Sequence, residues 1–351
     1  MHRLFIALIL LSLTFGSHAA EVDNLYQASA PVNSRDEQER AKLTPQLLQQ
    51  VMLKVVGNKA LLETAPLAPI LSQAGQYMQQ YEYRRNNILG ADLTEPDQLA
   101  LSVRFDPAAV NRAINELQLP VWGNNRPDIL IWALVENNGD TAILGLETAP
   151  VGVFQPLSRA AEQRGLPILM PLMDLQDQAA LSIADIRQGN QAAVAAASER
   201  YGADIVMTAV VNLNADAAQV QWRANGAGVS DSWQTQGNMQ EAFAAGMGHL
   251  ADKLALQFAQ LVDNGGEAQR LTMQIKDVLS YADFSRLMTY LDKLELISDI
   301  RVINLGEQQL DLDIAFRGSI DVLQRTLAVG SLLIEDPQSD SNEAKHYRLK
   351  P

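Results

Sequence analysis

The stretch from Ser182 to Val211, SIADIRQGNQAAVAAASERYGADIVMTAVV, constrains the fold more than any other part of the chain. Gln191 to Tyr201 is rich in alanine and has one β-branched residue, Val194, which is helix composition. Gly202 then stands where a left-handed helix terminator is wanted. Ile205 to Val211 (IVMTAVV) is an apolar run enriched in β-branched residues, as a strand covered on both faces requires. A helix laid on a buried central strand commits this region to an α/β core. It brings no nucleophile, metal ligand or phosphate loop with it.

The first twenty residues point to a destination. Arg3 gives a basic start, Leu4 to Phe15 is a short apolar run, and Ser17-His18-Ala19 supplies small residues before a cut near Ala19. This is the pattern of a Sec signal peptide and is too short for a membrane span. Periplasmic localisation is therefore expected. With no Cys in the chain, stability must come from core burial, and there is no thiol for a lipid anchor. The net charge of −14 becomes one unit more negative when Arg3 is removed. A field of that sign opposes nucleic acid and anionic lipid, so neither nucleic acid nor stable membrane insertion is expected.

Taken in order, the mature chain divides into small mixed-sheet modules in series, of α/β and α+β class. Residues 20–123 read as an amino-terminal α+β domain. Its first strand, Val22 to Val32, should lie at a sheet edge because it ends at Pro31. Ser34 and Glu37 match a capping box, and the Leu43 to Val56 stripe predicts a helix that kinks or restarts at Thr44-Pro45. Strands follow at Tyr77 to Asn87 and Gln98 to Phe105. Asn124 to Pro127 marks a boundary. Residues 127–264 read as a central α/β domain, with a buried strand at Asp128 to Val135, a polar hairpin around Asn225 to Gly228, and a closing helix carrying Phe243, Met247, Leu250, Leu254, Phe258 and Leu261. Gly265-Gly266 is a joint. Residues 267–336 follow a βαββαβ order, which predicts a ferredoxin-like unit. Residues 337–351 are polar, contain Pro337 and lack a period, so a disordered tail is expected.

Phe105-Asp106-Pro107-Ala108-Ala109-Val110, Leu119-Pro120-Val121-Trp122-Gly123, Arg126-Pro127 and the segment Val51 to Asn58 resemble a proteobacterial secreted family catalogued as a domain of unknown function, number two-zero-six-six. The resemblance spans nearly the whole chain. It implies an envelope location and supplies no site residues. The element order of the middle region, with Tyr201 to Val206 (YGADIV), is similar to the amino-terminal domain of the Tol-system translocation protein and to lipoprotein activators of penicillin-binding proteins. That likeness implies a module that docks onto envelope proteins.

Chemistry-bearing side chains are scarce. Of the histidines only His249 and His346 lie beyond the signal, leaving a Ser-His-Asp hydrolase or a zinc enzyme little to work with. A hydrolase needs a Ser or an Asp pair converging on His249. Asp311 and Asp313 share one strand face and read as its wet side, since calcium wants six to eight oxygens. Gly226-Ala227-Gly228 reads as a hairpin turn, and Gly246 with Gly248 as a close helix contact. No cofactor or metal is expected. Tyr81, Tyr83 and Arg85 would share one face of a strand, and with Trp122 they form the candidate interaction surface, because aromatics and Arg are favoured at interfaces. Trp222 and Trp233 read as core anchors. The expected function is non-catalytic: an envelope scaffold or assembly factor acting on envelope proteins. The alternative is a binder of a small ligand or cell-wall fragment, seated between the first two modules near Trp122, Tyr83 or Arg85.

Overall fold

The computed structural model describes residues 24–85, 99–137, 139–146, 151–214, 217–259, 269–294, 296–306, 308–329, 332–336 and 344–350. Helices and strands combine in three sheets, so the chain is of α/β and α+β class. The expected signal peptide, Leu261 and the expected Gly265-Gly266 joint lie outside the described residues. No described helix is long and apolar enough to cross a membrane.

The first unit runs β1 (Gln27–Pro31), α1 (Glu37–Val56), α2 (Lys59–Thr64), α3 (Ala68–Leu71), β2 (Met78–Arg85), β3 (Leu99–Phe105) and α4 (Pro107–Glu116). Its antiparallel sheet has the order β1-β3-β2, which puts β1 at an edge as expected. Leu47, Leu48, Val51, Met52, Val55 and Val56 of α1 share one buried cluster with Leu101, Val103 and Phe105 of β3. Each such side chain contributes about 1.5–3 kcal/mol gross. Neither the Ser34 and Glu37 capping box nor a helix restart at Thr44 is formed. Asp36 is the N-cap, and Glu39, not Glu37, reaches back to accept from the backbone N–H of Asn33 and Ser34. Pro45 sits inside one helix that does not restart at Thr44. Thr44 before it and Leu47 and Leu48 after it are buried, and that burial outweighs the hydrogen bond a proline forfeits.

The central unit contains β4 (Ile129–Asn137), β5 (Asp140–Ile143), α5 (Val151–Gln163), β6 (Ile168–Leu169), α6 (Leu175–Ala180), α7 (Ile183–Gln188), α8 (Gln191–Ser198), β7 (Ile205–Asn214), β8 (Ala217–Gly226), β9 (Val229–Gly237) and α9 (Met239–Phe258). The strand order is β5-β4-β7-β8-β9, with β6 also on β4. β4 and β7 are parallel, β8 and β9 antiparallel to their neighbours. As read from the sequence, β7 is the buried central strand, and Gly202 ends the preceding turn in the left-handed region at φ 62°. One sheet face carries α5 and α9 over Ile131, Met207, Val220 and Trp222. The other carries α7 and α8 over Leu130, Trp132, Leu134 and Val210, with Ile143 and Val206 partly buried beside them. Beyond that second layer, Gln219, Gln221, Arg223 and Asn225 of β8 and Ser230, Ser232 and Gln234 of β9 form a polar sheet surface.

The third unit comprises β10 (Gln269–Lys276), α10 (Tyr281–Asp292), β11 (Ile297–Leu305), β12 (Gln309–Phe316), α11 (Ile320–Ala328), β13 (Leu333–Glu335) and β14 (Ala344–Leu349). The βαββαβ order is present, but the ferredoxin-like sheet is not. In that arrangement β13 would pair with β10. Here β14 lies between them, parallel to β10 and antiparallel to β13, giving β11-β12-β10-β14-β13. The expected disordered tail is corrected at residues 344–349, which form this strand; residues 337–343 lie outside the described residues. Tyr347 and Leu349 alternate into the core at 3% and 4% exposure, so two apolar residues at period two suffice once β10 offers them an edge.

The boundary at Asn124 to Pro127 is a packed junction. Trp122 N–H donates to the Val55 carbonyl at 2.7 Å, and the ring stacks on Phe258 with centroids 6.4 Å apart. Arg126, 1% exposed, lies 4.0 Å over the same ring. Its guanidinium donates to the carbonyls of Lys54, Trp122, Gly123, Arg164 and Gly165. Arg164 donates to the Gly57 carbonyl at 2.7 Å and pairs with Asp252 at 2.6 Å, tying α1 to α9. On the far side, Asn125 donates to the Thr326 carbonyl at 2.8 Å, and Val329 joins the central core.

Lys54, 1% exposed, donates to the Gln27 carbonyl at 2.8 Å within this junction. Burial pushes its ammonium from the ordinary 10.5 down to about 8; Glu162 opposes the shift and Arg126 adds to it. The unfolded chain therefore holds this proton over a pH range in which the folded chain releases it. The penalty for burying the charge is full below about pH 8 and vanishes above about 10.5. Denaturant unfolding of the wild type and Lys54→Met should show the wild type gaining on the variant by up to about 3 kcal/mol between these limits. A flat difference across the range would remove burial as the cause.

Candidate functional site

The structure separates the residues expected to form one interaction surface. Tyr81, Tyr83 and Arg85 alternate along β2, at the edge of the first sheet. The two rings meet edge-to-face at 6.0 Å. Arg40, one turn into α1, places its guanidinium 4.3 Å from the Tyr81 centroid, and Arg35 lies 5.9 Å from that of Tyr83. The Tyr83 hydroxyl donates to the Arg35 carbonyl at 3.2 Å. Tyr83 thus leans on the core through the start of α1, while Tyr81 remains 42% exposed and Arg85 is exposed. Trp122 has no place in this cluster. It is 1% exposed inside the junction, so the sequence pattern of an aromatic beside Gly and Pro concealed a core anchor. A small cavity of about 30 Å³ borders it, shared with Phe258, Leu294 and Thr326 and not with Tyr83 or Arg85. The ligand seat expected between the first two modules is therefore not formed by those residues.

The other marked side chains resolve into supports. Trp222 is 1% exposed and donates to Thr235 Oγ1 at 2.8 Å; Gly246 leaves the space its ring occupies. Trp233, half-buried, stacks on it at 6.2 Å. His249 meets Asp231 at 2.9 Å and lies 4.6 Å from the Trp233 ring, and Lys253 shares the same carboxylate at 3.2 Å. The hydrogen bond from His249 is the main cause holding the Asp231 carboxyl below its ordinary range. Among the described residues no hydroxyl is hydrogen-bonded to His249, and one carboxylate, not a pair, reaches it. Asp313 accepts from Arg270, and Asp311 from Gln274, Gln309 and Asn304, as befits the wet side of a sheet. Gly226, Ala227 and Gly228 form the hairpin turn between β8 and β9. His346, expected in a loose tail, sits in β14 opposite Gln274. A second cluster, Asp174, Asp177, Arg200 and Tyr201, staples the segment before α6 to the end of α8; burial pushes the Tyr201 phenol up to about 12.

Sequence reasoning missed a groove of about 390 Å³ on the open face of the central sheet. Gly189, Gln191, Val194 and Ala195 wall it, and Val206, Thr208, Arg223, Asn225, Ser230 and Ser232 floor it. Alternation on β8 and β9 was the available signal, since every second residue from Gln219 to Asn225 is polar. What hid the groove is that sequence does not say how far a helical layer extends across a sheet.

Residues 19–123 match a family described as Domain of unknown function (DUF8605). The expected family, number two-zero-six-six over nearly the whole chain, is not confirmed, and neither is the Tol-system likeness. No curated protein matches the chain. A solved structure, the LpoB C-terminal domain from Salmonella enterica, is similar over 32% of this chain and 80% of its own, at 16% identity and a TM-score of 0.20. At that score the likeness carries nothing about fold or activity.

Proposed function

We propose that the protein is exported to the periplasm and acts there, without covalent chemistry, by docking other envelope proteins as a scaffold or assembly factor. The observation that carries this reading is the open edge of the first sheet. Among the described residues β2 pairs with β3 alone, which leaves its other side as the sheet edge beside Tyr81, whose ring is braced by Arg40. Such edges accept an added strand through backbone hydrogen bonds, and exposed aromatic and Arg side chains supply the anchoring energy. Export is supported by the sequence of residues 1–20, and the junction around Arg126 gives the docking edge a rigid base on the central unit.

A photo-crosslinking residue in place of Tyr81, expressed in the native cell, should capture one discrete partner in the periplasmic fraction. The same residue in place of Leu175, 84% exposed on the central unit, should not. The intact mass of the uncrosslinked protein should begin near Ala20. Identical capture patterns at the two positions would count against the edge, and retention of residues 1–19 in the cytosol would count against export.

A further inference from the structure

We propose that the groove beside α8 binds a small monocarboxylate carrying a short apolar group, held by Arg223 and Thr208. This goes beyond the docking edge of the first sheet and stands without it.

Arg223 is a half-buried guanidinium that makes no hydrogen bond or ion pair among the described residues, and its Nη1 is fully covered without a partner. In a chain with 41 acidic residues, a covered cation left unmatched is unusual, because burying charge without a partner is costly. Thr208 is 5% exposed, and its Oγ1 likewise has no partner. The two are not scattered defects. Thr208 and Arg223 are directly paired across β7 and β8, on the same face, and both line the groove. Asp231 also borders it, yet its carboxylate is taken by His249 and Lys253.

The guanidinium is positioned. Gly189, at φ 71°, ends α7 against it, and a Cβ there would stand 2.9 Å from both Cζ and Nε of Arg223. Any other residue at 189 would push the side chain away. Gln191, in the first turn of α8, brings the positive end of that helix to the same wall. A planar guanidinium fork matches the two oxygens of a carboxylate, and a hydroxyl can donate to one of them as well. With one cation among the described residues lining the groove, a single negative charge is compensated and a phosphate dianion is not. Val194, Ala195 and Val206 provide a short apolar wall, and a volume of about 390 Å³ is at the small end of ligand sites. The same chemistry is offered by a free short-chain acid and by the last residue of a peptide.

The test titrates the full mature protein with butyrate, with the dipeptide Ala-Ala and with its C-terminal amide, reading the Arg223 Nε–H resonance and calorimetric affinity. Butyrate or Ala-Ala should shift that resonance saturably, and the amide should not. Binding of butyrate identifies a free acid as sufficient; binding of Ala-Ala alone identifies a peptide end. Arg223→Gln should weaken binding by roughly 10- to 100-fold, the range for losing a charged hydrogen bond. Thr208→Val, close to isosteric, should weaken it severalfold and serves if the first variant folds poorly. Failure of both acids to bind, or affinities that neither substitution changes, would overturn the proposal.

Discussion

Replacing Arg126 with Ala is expected to destabilise the protein by at least about 3 kcal/mol, an amount typical of stripping the partner from several buried polar groups at once. Five backbone carbonyls from the two sides of the junction converge on one guanidinium: Lys54 at 2.6 Å, Trp122 at 2.9 Å, and Gly123, Arg164 and Gly165 at 3.0 Å. Removing the side chain leaves them facing a space closed to water and takes the cation from the Trp122 ring. Arg126→Lys should recover little, because one ammonium cannot span carbonyls arranged for a planar fork. Urea unfolding measures the loss. Limited proteolysis separates loosening of the junction from global unfolding, since cleavage near Asn124 should appear before the central unit is cut. A loss below about 1 kcal/mol would mean that the junction is held by the Trp122 and Phe258 packing alone.

A chain ending at Glu343 is expected to lose the third unit entirely. β14 is not an edge embellishment. It makes the parallel ladder from Thr272 to Lys276 on one side and the antiparallel ladder to Leu333, Ile334 and Glu335 on the other. Without it, β13 loses its one strand partner among the described residues, one side of β10 is left open, and the buried Tyr347 and Leu349 side chains are gone from a core that also holds Met273, Ile275 and Leu323. At about 1.5–3 kcal/mol gross for each lost side chain, before the ladders are considered, little of a small unit's stability would remain. Amide exchange should show β10 to β13 unprotected while β4 and β7 stay protected. Persistent protection in β10 would refute this account of the sheet.

What could be read from sequence followed periodicity. The helix before Gly202, the buried run of β7 and the α9 stripe are long, one-sided or unbroken patterns, and each fixes a packing partner. What could not be read depended on other parts of the chain. Pro45 is tolerated because residues after it are buried, which no local rule states. Trp122 reads as a contact residue because interfaces favour aromatics, and only its position against Phe258 shows it to be a core anchor. Arg126 lay in a segment whose Asn and Pro residues suggest a linker. Arg223 belongs to a strand pattern visible in the sequence, but whether its face is open or covered is set by how short α8 is. β14 was missed because six residues with two apolar side chains are too few to register without the strand they join.

The place of β14 also sets the order in which the molecule can be finished. A ribosome delivers the chain from its amino terminus, so the described strands of the first two sheets are all present long before residue 344 emerges. The third must wait with β10 half-dressed, an invitation to foreign strands, until the segment through Leu349 arrives and slips into the vacancy. Completion of this domain therefore reports that translation has run through residue 349, and a stall upstream should leave a sticky, protease-sensitive intermediate.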